Sequence, residues 1–239
     1  MIRGFYSARS GLIGHQDHIN TIANNISNVS TVGFKPMRTA FKDLIYQNLN
    51  RPDAEAANVG HGVKINKNDV MVFQGAPTPT GRSLDFALTE ENAFFAVESM
   101  SGEIRYTRNG CFGMSNNDDT WYLINGSGEY VLDMDGERIE FEEDDDGNLT
   151  FDVETLGVFS FANPYGLWNM EGTTFYPTPE SGEAVAIEYP SVTQSALENS
   201  AVEIAKEMAD LVEASKAFSF SAKMLQTADE IEQTVNSLR

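Results

Sequence analysis

The sequence predicts an α+β protein, in which long N- and C-terminal helices, coiled-coil-like, flank a central all-β domain of short antiparallel strands. Three observations carry this. Both ends repeat apolar residues every seven positions, the interval of a helical seam. The middle alternates with period two and is rich in aromatic and β-branched residues. All eight prolines lie outside the two heptad-patterned ends.

The N-terminal element comes first. Phe5, Leu12, Ile19 and Ile26 occupy one heptad position; Ala8, His15, Ile22 and Val29 occupy its companion. This predicts a helix over about 4–29, roughly 40 Å long at ~1.5 Å per residue. Gly33 is suited to end it. The same helix carries an unusual load of amide: "HINTIANNISNVSTVGFK", 18–35, holds four asparagines among isoleucines. Amides are poor helix formers and costly to bury. Asn24, Asn25 and Asn28 read either as helix-end residues only or, the sharper expectation, as including some that bond to backbone or amides of neighbouring helices and fix register.

In the C-terminal element, Leu197, Ile204, Leu211, Phe218 and Leu225 recur every seven residues, with Ala201, Met208, Ser215 and Ala222 between them. A second seam follows: Met224, Ile231 and Leu238, with Ala228 and Val235. Ser200-x-x-Glu203 reads as a capping box. No Pro or Gly occurs from 191 onward, which predicts an uninterrupted helix of about 40 residues, roughly 60 Å. A helix with two apolar seams faces more than one neighbour, so the pattern predicts self-assembly.

Between these ends, "GVKINKNDVMVF", "NAFFAV", "EIRYTRNGCFGM", "TWYLING", "EYVLDMDGERIEF", "NLTFDV" and "LGVFSF" read as short strands. Asn109-Gly110 and Asp135-Gly136 read as hairpin turns. Residues 35–61 read as an extended or irregular connector.

Charge narrows the function classes. The formal net charge is −20. Residues 1–50 hold five basic against two acidic residues, residues 197–239 four against eight, and the middle seven against twenty-six. Such a balance argues against nucleic acid as a partner, because phosphate contacts need Lys and Arg. The single cysteine, Cys111, allows no internal disulfide and reads as a small apolar residue. No run reaches the length of a transmembrane helix. The N-terminus lacks the apolar stretch of a secretory signal, which predicts a cytoplasmic or non-classically exported protein.

Enzyme motifs are missing. The chain holds no Gly-x-Ser-x-Gly, phosphate loop or zinc spacing. Asp144, Asp146 and Asn148 imitate the start of a calcium loop, but Leu149 and Thr155 stand where Gly and Glu belong. His15 and His18 lack further ligands. The expectation is no catalytic residue, no cofactor, no metal and no small-molecule substrate.

Several stretches then match a known family in order. "ANNISNVSTVGFK", 23–35, resembles the signature of the bacterial flagellar rod and hook axial proteins. "GLIGHQDHINTI" is similar to that family's first helix. "FQGAPTPTGRSLDFAL", "RYTRNGCF" and "FANPYGLWNMEGTTF" resemble its central motifs, and 196–239 its closing helix. The chain length and the absence of a large inserted outer domain resemble the rod more than the hook. The resemblance implies a structural rod subunit of the basal body that polymerises helically with itself and with other rod and hook subunits. It also implies passage through the flagellar export apparatus to a place outside the cytoplasmic membrane, with no cleaved signal. Within this frame 1–34 and 197–239 form the assembly core, 35–61 a connector and 62–196 a β-rich outer domain.

The expected assembly interface comprises Phe5, Leu12, Ile19, Ile22, Asn24, Asn25, Ile26, Asn28, Gly33 and Phe34 from the first segment. Ile204, Met208, Leu211, Phe218 and Leu225 complete it from the last. Two alternatives are a hook-type axial subunit and a secreted binding β-domain with oligomerising helical arms. The latter would present a concave aromatic site around Trp121, Tyr122 or Trp168.

Overall fold

A computed structural model of the chain describes residues 3–49, 57–117, 120–143 and 149–238. These form two compact units. The helical unit contains 3–27, 37–49, 57–69 and 203–238; the β unit contains the remaining described residues, 28–36 and those within 70–202.

In the helical unit, α1 spans Arg3–Ser27 and α2 spans Ile204–Ser237. They pack against each other and run antiparallel. Asn25 meets Glu207, while a methyl group placed on Gly11 would stand 3.4 Å from Ser221 Oγ. Gly11 lies fourteen residues before Asn25, and Ser221 fourteen after Glu207, so the contacts repeat after two heptads. Ile22, Ala214 and Ala228 are buried, and Phe5, Leu12, Ile19, Ile26, Leu211, Phe218 and Leu225 are half-buried.

α2 begins later than its heptads predict. Leu197 lies in a strand, Ala196–Glu198, which pairs antiparallel with Pro77–Pro79. Glu203 occupies the position before the helix, with no side-chain cap, and the expected capping box does not form. Ser200 Oγ instead accepts from Val202 N at 3.4 Å. Ladder bonds to 77–79 and burial of the Glu198 carboxylate hold 196–198 extended and override the local pattern.

The connector is also more regular than expected. Met37–Asp43 pairs with Val63–Val70, and Gln47–Leu49 pairs antiparallel with Ala57–Val59. Phe41 lies against both His15 and His18, at ring-centroid distances of 5.7 and 5.4 Å.

The β unit is built around Ala93–Glu98. Ile104–Thr107 pairs along one edge of this strand. Tyr130–Val131 and Val158–Phe161 pair with it as well, all antiparallel. The sheet extends through Thr120–Asn125 to Phe112–Asn117 at one end, and through Thr174–Tyr176 to Trp168–Glu171 at the other. "AFFAV", 93–97, is continuously apolar because this strand is covered on both faces. Phe95 packs edge-on to Phe112 at 5.2 Å within the main core. Phe94 points to a second aromatic layer, 5.8 Å from Phe161 and 5.5 Å from Phe175.

Asp135-Gly136 sits in a tight turn closed by Asp133 N to Glu137 O at 2.8 Å. Asn109-Gly110 does not join a hairpin, because Ile104–Thr107 and Phe112–Asn117 pair with different strands. Gly110 passes instead beside Phe86, whose N donates to Gly110 O at 3.0 Å. A Cβ at Gly110 would stand 1.9 Å from Phe86 O, so the glycine serves close approach. Where the chain leaves the β unit after Pro36 and returns at Val70, Met71 N donates to Pro36 O at 2.8 Å.

Candidate assembly surface and buried junction

The asparagines of α1 separate by role. Asn25 is 1 % exposed. Its Oδ1 accepts from Met37 N at 2.9 Å and its Nδ2 donates to Met37 O at 2.9 Å, so one amide satisfies both backbone groups of the residue opening the next strand. The same Nδ2 lies 3.2 Å from Glu207 Oε2 in the first turn of α2. Asn24 is exposed. Asn28 follows the helix and accepts two bonds from Thr31, one at its backbone oxygen and one at Oδ1, both 3.1 Å.

The apolar residues of α2 separate likewise. Leu211, Phe218 and Leu225 share the half-buried side of the helix, whereas Ile204 and Met208 are exposed. The second seam lies largely in solvent: Met224, Ile231, Val235 and Leu238 are exposed, Leu238 at 83 %. Every residue from 229 to 238 is exposed.

Gly33 and Phe34 are buried inside the β unit. Gly33 has φ +67°, and a Cβ there would stand 2.6 Å from the carbonyl carbon and oxygen of Arg108. Both handedness and space demand glycine. Gly33 N donates to Glu198 O at 2.8 Å and Ala201 N to Phe34 O at 3.1 Å, so the incoming and outgoing chain segments lie side by side.

Three charged residues that sequence reasoning missed close this junction. Lys35 Nζ is 2.6 Å from Glu198 Oε1 and also donates to Phe73 O. Arg108 Nη1 donates to Glu198 Oε2 at 3.1 Å, while its Nη2 donates to the carbonyls of Glu90 and Glu91. Gly75 N donates to Glu198 Oε1 at 2.6 Å. The Arg108 guanidinium also stands 5.5 Å from the Phe94 ring centroid. Burial pulls the Lys35 ammonium below its ordinary pKa; Glu198 opposes that and Arg108 adds to it. Lys35 and Arg108 lie inside stretches the sequence singles out, but nothing local marks Glu198, 163 and 90 residues away, as their partner.

The aromatic residues proposed for a binding face are not brought together. Trp121 lies on Thr120–Asn125 near one end of the sheet, and Trp168 on the terminal strand at the other. Tyr122 packs on Tyr130 at 5.4 Å and Trp168 near Tyr176 at 6.4 Å. Cys111 is half-buried, with Arg82 Nη1 3.6 Å from its sulfur. Among the described residues no group of three or more His, Cys, Asp or Glu is placed to hold a metal ion. The calcium-like stretch, 144–148, lies outside the described residues.

Comparison with known proteins bears directly on this arrangement. Residues 5–35 match the model of the family described as "Flagella basal body rod protein". Residues 193–238 match "Flagellar basal body rod FlgEFG protein C-terminal". The flagellar basal-body rod protein FlgG of Borreliella burgdorferi is 32 % identical over 267 residues, covering 100 % of this chain and 99 % of the relative. The chain belongs to the flagellar basal-body rod protein family.

FlgG of Bacillus subtilis is 31 % identical, with both chains fully covered. The flagellar hook-basal body complex protein FlhP of the same organism is 25 % identical over the full length of both. The rod-family chain described here is thus a structural subunit of the flagellar basal body and not an enzyme. No described helix is long and apolar enough to cross a membrane. The two matched segments include α1 from Phe5 onward with the Gly33–Lys35 turn, and α2 with the strand that delivers Glu198.

Proposed function

We propose that this rod subunit polymerises helically through its terminal helices and so forms part of the flagellar drive shaft. The observation that carries this is the unequal cover of α2. One side is half-buried in the helix pair, while Met224, Ile231, Val235 and Leu238 remain in water. Burying apolar surface is worth about 25 cal/mol per Å², so repeated copies that cover this seam gain stability with every subunit added. Coiled-coil packing between copies, seam against seam, supplies stiffness from many weak contacts.

In this reading Phe5, Leu12, Ile19, Ile22, Ile26, Leu211, Phe218 and Leu225 shape the helix pair, and Ile204, Met208 and Asn24 reach neighbouring copies. Asn25, Asn28, Gly33 and Phe34 set the geometry from which that surface is presented. The segments 1–34 and 197–239 lie inward in the polymer, and the β-rich segment 62–196 faces outward, joined through 35–61. Partners are further copies and other rod and hook subunits. The chain leaves the cell by the flagellar export apparatus, without a cleaved signal, and assembles outside the cytoplasmic membrane.

Paired variants test this. Ile231→Glu abolishes polymers seen by electron microscopy and sedimentation while leaving the circular dichroism and melting of the dilute chain unchanged. Leu211→Glu abolishes polymers and also weakens the helical unit by about 2–4 kcal/mol. Normal polymers from the Ile231→Glu chain would end the proposal.

A further inference from the structure

At this junction the buried charges do not balance, although the β unit buries Asp85 and Glu129 elsewhere. Lys35 and Arg108 each have 0 % side-chain exposure and Glu198 1 %, so two cations share one anion away from water. Both carboxylate oxygens of Glu198 are occupied: Lys35 and Gly75 bond to one, Arg108 to the other. None of the three residues belongs to the apolar core formed around Phe86, Phe95, Phe112 and Leu123. Glu198 arrives on the last strand before α2, whereas Lys35 sits just after the turn that follows α1.

We infer that the Glu198 carboxylate is a clasp: it holds residues 33–36 and 198–201 against the β unit, and its loss opens that junction while the core stays closed. The reason is charge rather than shape. Glu198→Gln keeps nearly every atom in place, yet leaves two desolvated cations facing each other across a neutral amide. Lys35→Met removes a cation and leaves Arg108 and Glu198 paired one to one. The double variant leaves Arg108 with the carbonyls of Glu90 and Glu91 and the weaker pull of those residues' less buried carboxylates. Packing alone ranks Glu198→Gln the mildest of the three; charge ranks it the most severe.

The device does not depend on helical polymerisation, so it is tested on dilute full-length protein. Amide hydrogen exchange is followed at Gly33, Gly75 and Ala201, whose N–H groups bond across the junction, and at Phe95, Val97 and Leu123 in the core. In the Glu198→Gln chain, junction exchange rises at least about 100-fold. In Lys35→Met it rises less than about 10-fold, and the double variant falls between. The core amides hold their protection in all three. Junction exchange within about threefold of wild type in Glu198→Gln overturns the inference. So does Lys35→Met matching Glu198→Gln, or equal loss of protection in the core. If Glu198→Gln yields no folded protein, recovery of folding on adding Lys35→Met supports the clasp, and failure of the double variant to fold overturns it.

Discussion

At the scale of single residues, two positions tie up backbone groups that would otherwise be costly. Asn25 places one amide against both polar groups of Met37, and Glu198 holds both chain ends of the β unit. The first arrangement has a direct consequence. In the Asn25→Leu chain the N–H and C=O of Met37 lose their partner, and an unmade bond at a buried group costs roughly 1–3 kcal/mol. The helical unit therefore unfolds earlier in urea by about 2 kcal/mol, while tyrosine and tryptophan signals from the β unit keep their midpoint. Polymer formation falls with it. Unchanged stability of the helical signal would show that the amide is spectator to the fold.

Among the elements, α1 carries a group that responds to acid. His15 and His18 both lie against Phe41 of the adjoining strand. Burial, with a smaller contribution from His18, holds the His15 imidazole below its ordinary pKa of 6.5. A base that is harder to protonate when folded binds fewer protons than in the unfolded chain. Stability contributed by neutral His15 is therefore full above pH 6.5 and is lost as pH falls through the lowered value. Helical melting followed from pH 7.5 to pH 5 shows the decline, and His15→Gln flattens it. The helices themselves were legible in the sequence because a heptad repeat is a local signal. The start of α2 was not. Ser200 and Glu203 carry a capping pattern, but Ala196–Glu198 is claimed by Pro77–Pro79 and by two distant cations, partners no local window contains. Asn109-Gly110 misled for the same reason, since its flanking strands pair elsewhere in the sheet. The half-buried side of the helix pair could be read from spacing; the buried junction could not, because ion pairs leave no periodicity.

For the whole molecule, charge opposes what apolar surface favours. A net charge of −20 makes copies repel, and salt screens exposed charges within about 10 Å at 0.1 M. Assembly therefore quickens as ionic strength rises from low salt, which light scattering measures directly. Replacing Glu142 and Glu143, both exposed, by glutamine quickens it in the same direction without loss of fold. A rate that falls with added salt would mean that opposite charges steer the encounter instead. One further detail of the β unit bears on how such a chain changes over generations. The chain departs after Pro36 and comes back at Val70 through a single doorway, with Pro36 and Met71 hydrogen-bonded across it. Whatever is threaded between those posts can lengthen or shrink without moving the wall they stand in. Closing a longer excursion costs only about 0.6 kcal/mol per doubling. Selection is thereby free to resize that stretch while the β unit stays as it is.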